Sequence, residues 1–150
     1  MNTTHMNFYI LAKLLHSSTL QLFAGYVVFA LSIFVLSISM LKQQPAASLH
    51  FTLLIMVTAI MALHHYLGLR VKFDANLVHY LSTAQESEQL QQLTQQMDES
   101  LIQLKLMPQA KAGRDWNTRF QGCKTLFHAQ ITVLILQFIA LISSMLIQYS

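Results

Sequence analysis

The chain has 150 residues, 54% of them apolar and only 10% charged, with a net charge of +3 when histidines are neutral. An ordinary soluble domain carries about a quarter charged residues, so too little polar surface exists here to cover a water-exposed globule. The length accommodates one domain, and a single cysteine, Cys123, leaves no intrachain disulfide and no cysteine-based metal cluster within one copy.

The charges are segregated. None occurs between Lys13 and Lys42, between Lys42 and Arg70, or after Lys124. Each gap exceeds the roughly 20 residues a helix needs to cross a hydrocarbon core of about 30 Å. These runs are continuous rather than alternating, and lipid admits only helices and closed barrels. The expected fold is therefore an all-α integral membrane protein. It has three transmembrane helices, with a helical cytoplasmic excursion between the second and third.

Residues 1–17 combine a polar start with an apolar stretch around Phe8–Leu15 and read as an interfacial segment, with Lys13 reaching the headgroups. It is expected to stay uncleaved, because the apolar run that follows is far longer than the roughly 7–15 residues of a signal-peptide core. A transmembrane hairpin is expected over 18–69, with helices at about 19–41 and 49–69 joined by a turn at Lys42–Ser48 containing Pro45. In the first helix Ser18, Gly25, Ser32 and Ser39 recur every seven residues, nearly two full turns, so they share one face. Small residues let membrane helices approach, and hydroxyls can bond across the contact. In the second helix Phe51, Thr58, Ala62, His65, Leu69 and Lys72 share a face, and His64 lies about 100° round from it. Thr58 and Ala62 are taken as its packing seam.

The region 70–122 holds every acidic residue of the chain. An apolar stripe through Phe73, Leu77, Tyr80, Leu81 and Ala84 continues the second helix. Thr83 with Glu86 reads as a capping box that restarts a helix. Leu90, Leu93, Met97, Leu101 and Leu104 then follow at three- and four-residue steps, opposite a face rich in glutamine. This amphipathic stripe is the candidate docking surface for a partner, or for a second copy. Pro108 and Gly113 are expected to end it, and Asp115 to cap the next helix. Trp116, Phe120 and Phe127 suit a membrane surface. The third span, in 123–150, carries Gln130, Gln137 and Ser144 on one face at seven-residue spacing.

Orientation follows from lysine and arginine. The side of the N-terminus and the 70–124 loop holds Lys13, Arg70, Lys72, Lys111, Arg114, Arg119 and Lys124, and the other side holds only Lys42. The N-terminus and loop are expected in the cytoplasm and the C-terminus outside. Arg70 with Lys72, and Arg119 with Lys124, are candidates for anionic lipid headgroups.

That topology brings His16, His64, His65 and His128 near one membrane surface. Paired imidazoles at equal depth can ligate a b-type haem or a metal, and His65 with His128 is the candidate pair. No acidic residue lies within a span, and no phosphate-binding glycine loop, nucleophile elbow or zinc-protease helix is present. No basic patch interleaved with aromatics suggests nucleic acid. The sequence thus favours a non-catalytic accessory or scaffold subunit, or a homo-oligomer. A redox subunit and a homo-oligomeric pore lined by the Gln/Ser seams are the alternatives.

Overall fold

The computed structural model describes residues 3–41, 47–84 and 86–149, and all regular structure among them is helical. Helix α1 spans Thr3–His16, α2 Ser18–Leu41, α3 Ala47–Leu81, α4 Ser87–Gln103 and α5 Trp116–Tyr149, with a 3-10 turn at Gln109–Lys111 before α5. Three stretches are long and apolar enough to cross a membrane: Met6–Leu41, which runs through α1 and α2, then Ser48–Leu81 and Trp116–Leu146. The expected turn at Lys42–Ser48, with Pro45, falls mostly on residues outside those described.

Local chemistry explains several helix ends. Asp115 caps α5: its carboxylate accepts the Thr118 backbone N–H at 3.1 Å and the Thr118 hydroxyl at 2.6 Å. These bonds hold the Asp115 carboxyl below its ordinary value. The expected Thr83–Glu86 capping box does not form. Thr83 Oγ1 donates back to the Tyr80 carbonyl, and Glu86 is itself the N-cap of α4, in extended conformation and with no side-chain cap bond. Helix α4 ends five residues before Pro108, in a Schellman motif. The Lys105 N–H bonds the Ile102 carbonyl and the Leu106 N–H bonds the Leu101 carbonyl, both at 2.9 Å. Lys105 occupies the left-handed position, φ 56°, where glycine is usual.

The chain forms two compact units, Met1–His16 with Lys72–Thr125, and Ser17–Val71 with Leu126–Ser150. In the first unit, Phe8 is fully buried. Its ring meets Trp116 edge-on at 4.6 Å between centroids and Phe120 at 5.0 Å. Leu11, Ala12 and Leu15 continue the same buried face of α1. The segment read as interfacial is thus also a packing element. Asp98, 5% exposed, accepts from both terminal guanidinium nitrogens of Arg119 at 2.7 and 2.8 Å, and from the Gly113 N–H at 2.9 Å. One carboxylate therefore ties α4, the turn after it and the start of α5 together. The Arg119 guanidinium also lies over the Trp116 ring, 5.1 Å from its centroid.

The second unit is a three-helix bundle. Leu22 of α2 meets Gly68 of α3, Gly25 meets His64, and Leu36 clusters with Leu53 and Val57. Rising numbers on α2 meet falling numbers on α3, so these helices are antiparallel. Gln130 reaches Ser18, Gln137 lies beside Gly25, and Ala140 joins the Leu36 cluster, so α5 runs parallel to α2. The bundle is layered. The Leu36, Leu53, Val57 and Ala140 layer is apolar, with Phe29, Leu54 and Ile60 packed against it. The layers nearer Ser18 are polar.

Candidate functional site at the centre of the bundle

The seven-residue rows of α2 and α5 both face inward. Ser18, Ser32 and Ser39 are each 1% exposed, Gly25 is buried, and Gln130, Gln137 and Ser144 are all buried. Ser32 donates to the Val28 carbonyl, Ser39 to Val35 and Ser144 to Ala140, each four residues back on its own helix. Ser32 and Ser144 thus spend their donors within their own helices, while Gln130 reaches α2 and Gln137 reaches α3.

On α3 the structure corrects the expected face by one residue. Thr58, Ala62 and His65 point outward, and so do Phe51 and Lys72. The buried row is His50, Val57, His64 and Val71, with Met61 and Gly68 beside it. Both rows keep seven-residue spacing. In a helix apolar on every side, hydropathy cannot choose between them. Two signals were available: the outer row carries a lysine and a phenylalanine, and the inner row carries Gly68. Beyond the bundle the expected stripe holds in part: Leu81 and Ala84 are buried, whereas Phe73 and Tyr80 are exposed and Ala75 and Val78 are buried in their place.

His64 is therefore the central polar group, with no exposed surface. Its ring lies against Gly25, where a Cβ would overlap Cε1 and Nδ1. Its Nδ1 is 2.8 Å from Gln137 Oε1, and Gln137 Nε2 donates toward Met61 Sδ at 3.2 Å. The thioether is only an acceptor, so it orients the amide with its NH2 toward sulfur. The amide oxygen can then only accept, and His64 Nδ1 must carry the proton. In the neutral ring this leaves Nε2 as a lone pair, buried and with no hydrogen-bond partner among the described residues.

One layer toward Ser18, Gln130 Nε2 donates to the Ser18 carbonyl at 3.2 Å, packed against Gly68. Gln130 Oε1 and Gln21 Oε1 are likewise buried without a partner among the described residues. The layers nearer Ser18 thus hold several acceptors that no described residue uses. Such a set can take hydrogen bonds from a buried water, and His64 Nε2 is an imidazole acceptor among them.

The other sequence candidates lie elsewhere. His65 is on the outward side of α3, and its Nδ1 pairs with the Tyr26 hydroxyl at 2.6 Å. His128 is on the exposed side of α5, edge-on to Phe127. Neither residue of the proposed haem pair therefore faces the bundle interior. Among the described residues no group of three or more His, Cys, Asp or Glu side chains is placed to hold a metal ion. The Arg119 guanidinium is engaged within the chain by Asp98, and its side chain is 10% exposed. Arg70, Lys72 and Lys124 are exposed. Of the amphipathic stripe, Leu90 is buried, and Leu93, Met97 and Leu101 are half covered by the chain itself. Leu104 is 67% exposed, just past the end of α4. No protein-family model, curated protein or solved structure matches the chain.

Proposed function

We propose that the chain is a multi-pass protein of the cytoplasmic membrane that carries out no chemistry of its own and serves as an accessory or scaffold subunit, in a larger membrane complex or in a homo-oligomer. The observation that carries this reading is the reversed polarity of the bundle. His64, Gln130, Gln137 and the serines lie inside, while Leu20, Phe23, Phe34, Phe51 and Ile142 are each more than half exposed. Within the most apolar window of each long stretch, only 28–33% is buried by the chain itself. The remainder needs lipid or another protein's helices to cover it. The distribution of lysine and arginine supports a cytoplasmic N-terminus and 70–124 region, with the C-terminus outside.

Two alternatives draw less support. A pore lined by the Gln/Ser seams would need those faces turned toward neighbouring copies, and they close within one. A b-type haem between His65 and His128 would need ligands that face each other, and these lie on outward faces.

The reading is tested in native membranes. Alkaline carbonate should leave the protein in the pellet, and a reporter fused after Ser150 should be active only outside the cytoplasm. Crosslinking from Leu104, followed by mild-detergent purification, should capture a defined second chain. Strictly monomeric behaviour in a native extract contradicts the scaffold role, and a Soret band from a haem-replete host would replace it with the redox reading.

A further inference from the structure

In the first unit, α1 and the end of α3 enclose a cleft of about 190 Å³. Its floor is two buried alanines, Ala12 and Ala75. Their small side chains hold the two helices apart by less than a larger residue would, yet leave a gap between the long side chains above them. Those rim residues are Lys13 and His16 on α1 and His79 and Asn76 on α3, with Tyr9 completing the wall. On α1 the spacing Tyr9, Ala12, Lys13, His16 is i, i+3, i+4, i+7, one helical face. On α3, Ala75 and His79 are one turn apart.

The chemistry of this rim is one-sided. It offers an ammonium, two imidazoles, an amide and a phenol, and no carboxylate. The acidic residue next in sequence, Asp74, has its Oδ2 3.9 Å from the Cys123 thiol and is not part of the wall. The Lys13 ammonium lies over the Tyr9 ring, 5.8 Å from its centroid. The C-terminal end of α1 is itself electronegative, so any attraction for an anion must come from these side chains. The volume is below the roughly 300 Å³ of pockets that hold drug-sized ligands. It suits a small charged group rather than a whole metabolite.

We propose that this cleft binds a phosphoryl group, with the Lys13 ammonium and the His16 and His79 imidazoles donating to its oxygens. Charge-assisted N–H···O bonds of this kind are the strong ones. The group can arrive as the headgroup phosphate of an anionic phospholipid or as free phosphate. The lipid source rests on the membrane reading above, whereas the anion site itself does not.

The full chain in an uncharged maltoside detergent tests this. Inorganic phosphate should shift the imidazole signals of His16 and His79 in NMR spectra and leave those of His64 unmoved. Phosphatidic acid added to the micelles should displace the phosphate, and phosphatidylcholine should not. Lys13→Gln should weaken either ligand about fivefold, from the contribution of one basic residue near an anionic surface. Lys13→Arg should retain binding, and Lys105→Gln, away from the cleft, should change nothing. Phosphate binding without a preference for the anionic lipid keeps the anion site and assigns it the free ion. No response to either ligand, or unchanged binding in Lys13→Gln, overturns the proposal. Carbonate extraction of the same protein reads the membrane assignment separately.

Discussion

Gly25 sits where a methyl group has no room, because the His64 ring occupies the position a Cβ would take. His64 is fully buried and fixed by Gln137, so the ring cannot step aside freely. Gly25→Ala should therefore destabilise the bundle by about 1–3 kcal/mol, the usual range for overpacking. Gly68 provides the internal comparison. A Cβ there meets Leu22 Cδ1 at 2.8 Å, the movable end of a flexible side chain, and Gln130 Nε2 only at 3.4 Å. Gly68→Ala should stay within about 1 kcal/mol of the parent. Unfolding of both variants in mixed micelles measures the difference, and equal effects would contradict the close contact at Gly25. Asp98 carries a different kind of sensitivity. Burial pushes its carboxyl up, but the Arg119 guanidinium, the Gly113 N–H and the charges of Arg119 and Arg114 outweigh that and hold it below the ordinary 3.8. A lowered folded-state value means the ionised pair stabilises the fold fully above that ordinary value, with the contribution lost as pH falls below it. Asp98→Asn should cost about 3 kcal/mol at neutral pH, since it leaves a nearly buried guanidinium without its partner. The deficit should shrink in acid-titrated unfolding as the parent pair is lost. A constant deficit down to low pH would show that the ion pair is not its source.

At the scale of elements, the ends of helices were less legible than their bodies. The apolar runs define α2, α3 and α5 well, because a long uncharged stretch has few other solutions. The Asp115 cap is also readable, since an aspartate before an apolar run has a specific donor to satisfy. The end of α4 is not. Pro108 and Gly113 are the usual terminators, yet the helix stops at Gln103, with a lysine in the left-handed position. A lysine there gives no sequence signal, and the two Schellman bonds offset its cost. The left-handed region costs an L-residue about 1–2 kcal/mol. Lys105→Gly should therefore raise the unfolding free energy by about 1 kcal/mol, measured by chemical denaturation. A loss of stability would mean that the lysine side chain contributes more than its backbone costs.

For the whole molecule, the glutamine and small-residue rows of α2 and α5 could be read from spacing alone, because polar groups are scarce in those helices and stand out. The α3 face could not be read with the same ease. Its two adjacent histidines lie on neighbouring rows, and apolar residues fill both. What decides the register is volume: Gly68 lets α2 and α5 approach, and Lys72 and Phe51 belong on the outside. The Asp98–Arg119 clamp was equally hidden, because its partners are 21 residues apart and on separate helices. His64, buried and bonded to Gln137, is the histidine that links α3 to α5 inside the bundle. Magnetic-resonance spectra of the protein in lipid bilayers, with histidine and glutamine isotopically labelled, test this most directly. The account predicts a through-space contact between His64 and Gln137, a proton on His64 Nδ1 and a bare Nε2, and no such contact for His65. A contact of Gln137 with His65, or a proton on Nε2 of His64 in place of Nδ1, would contradict it.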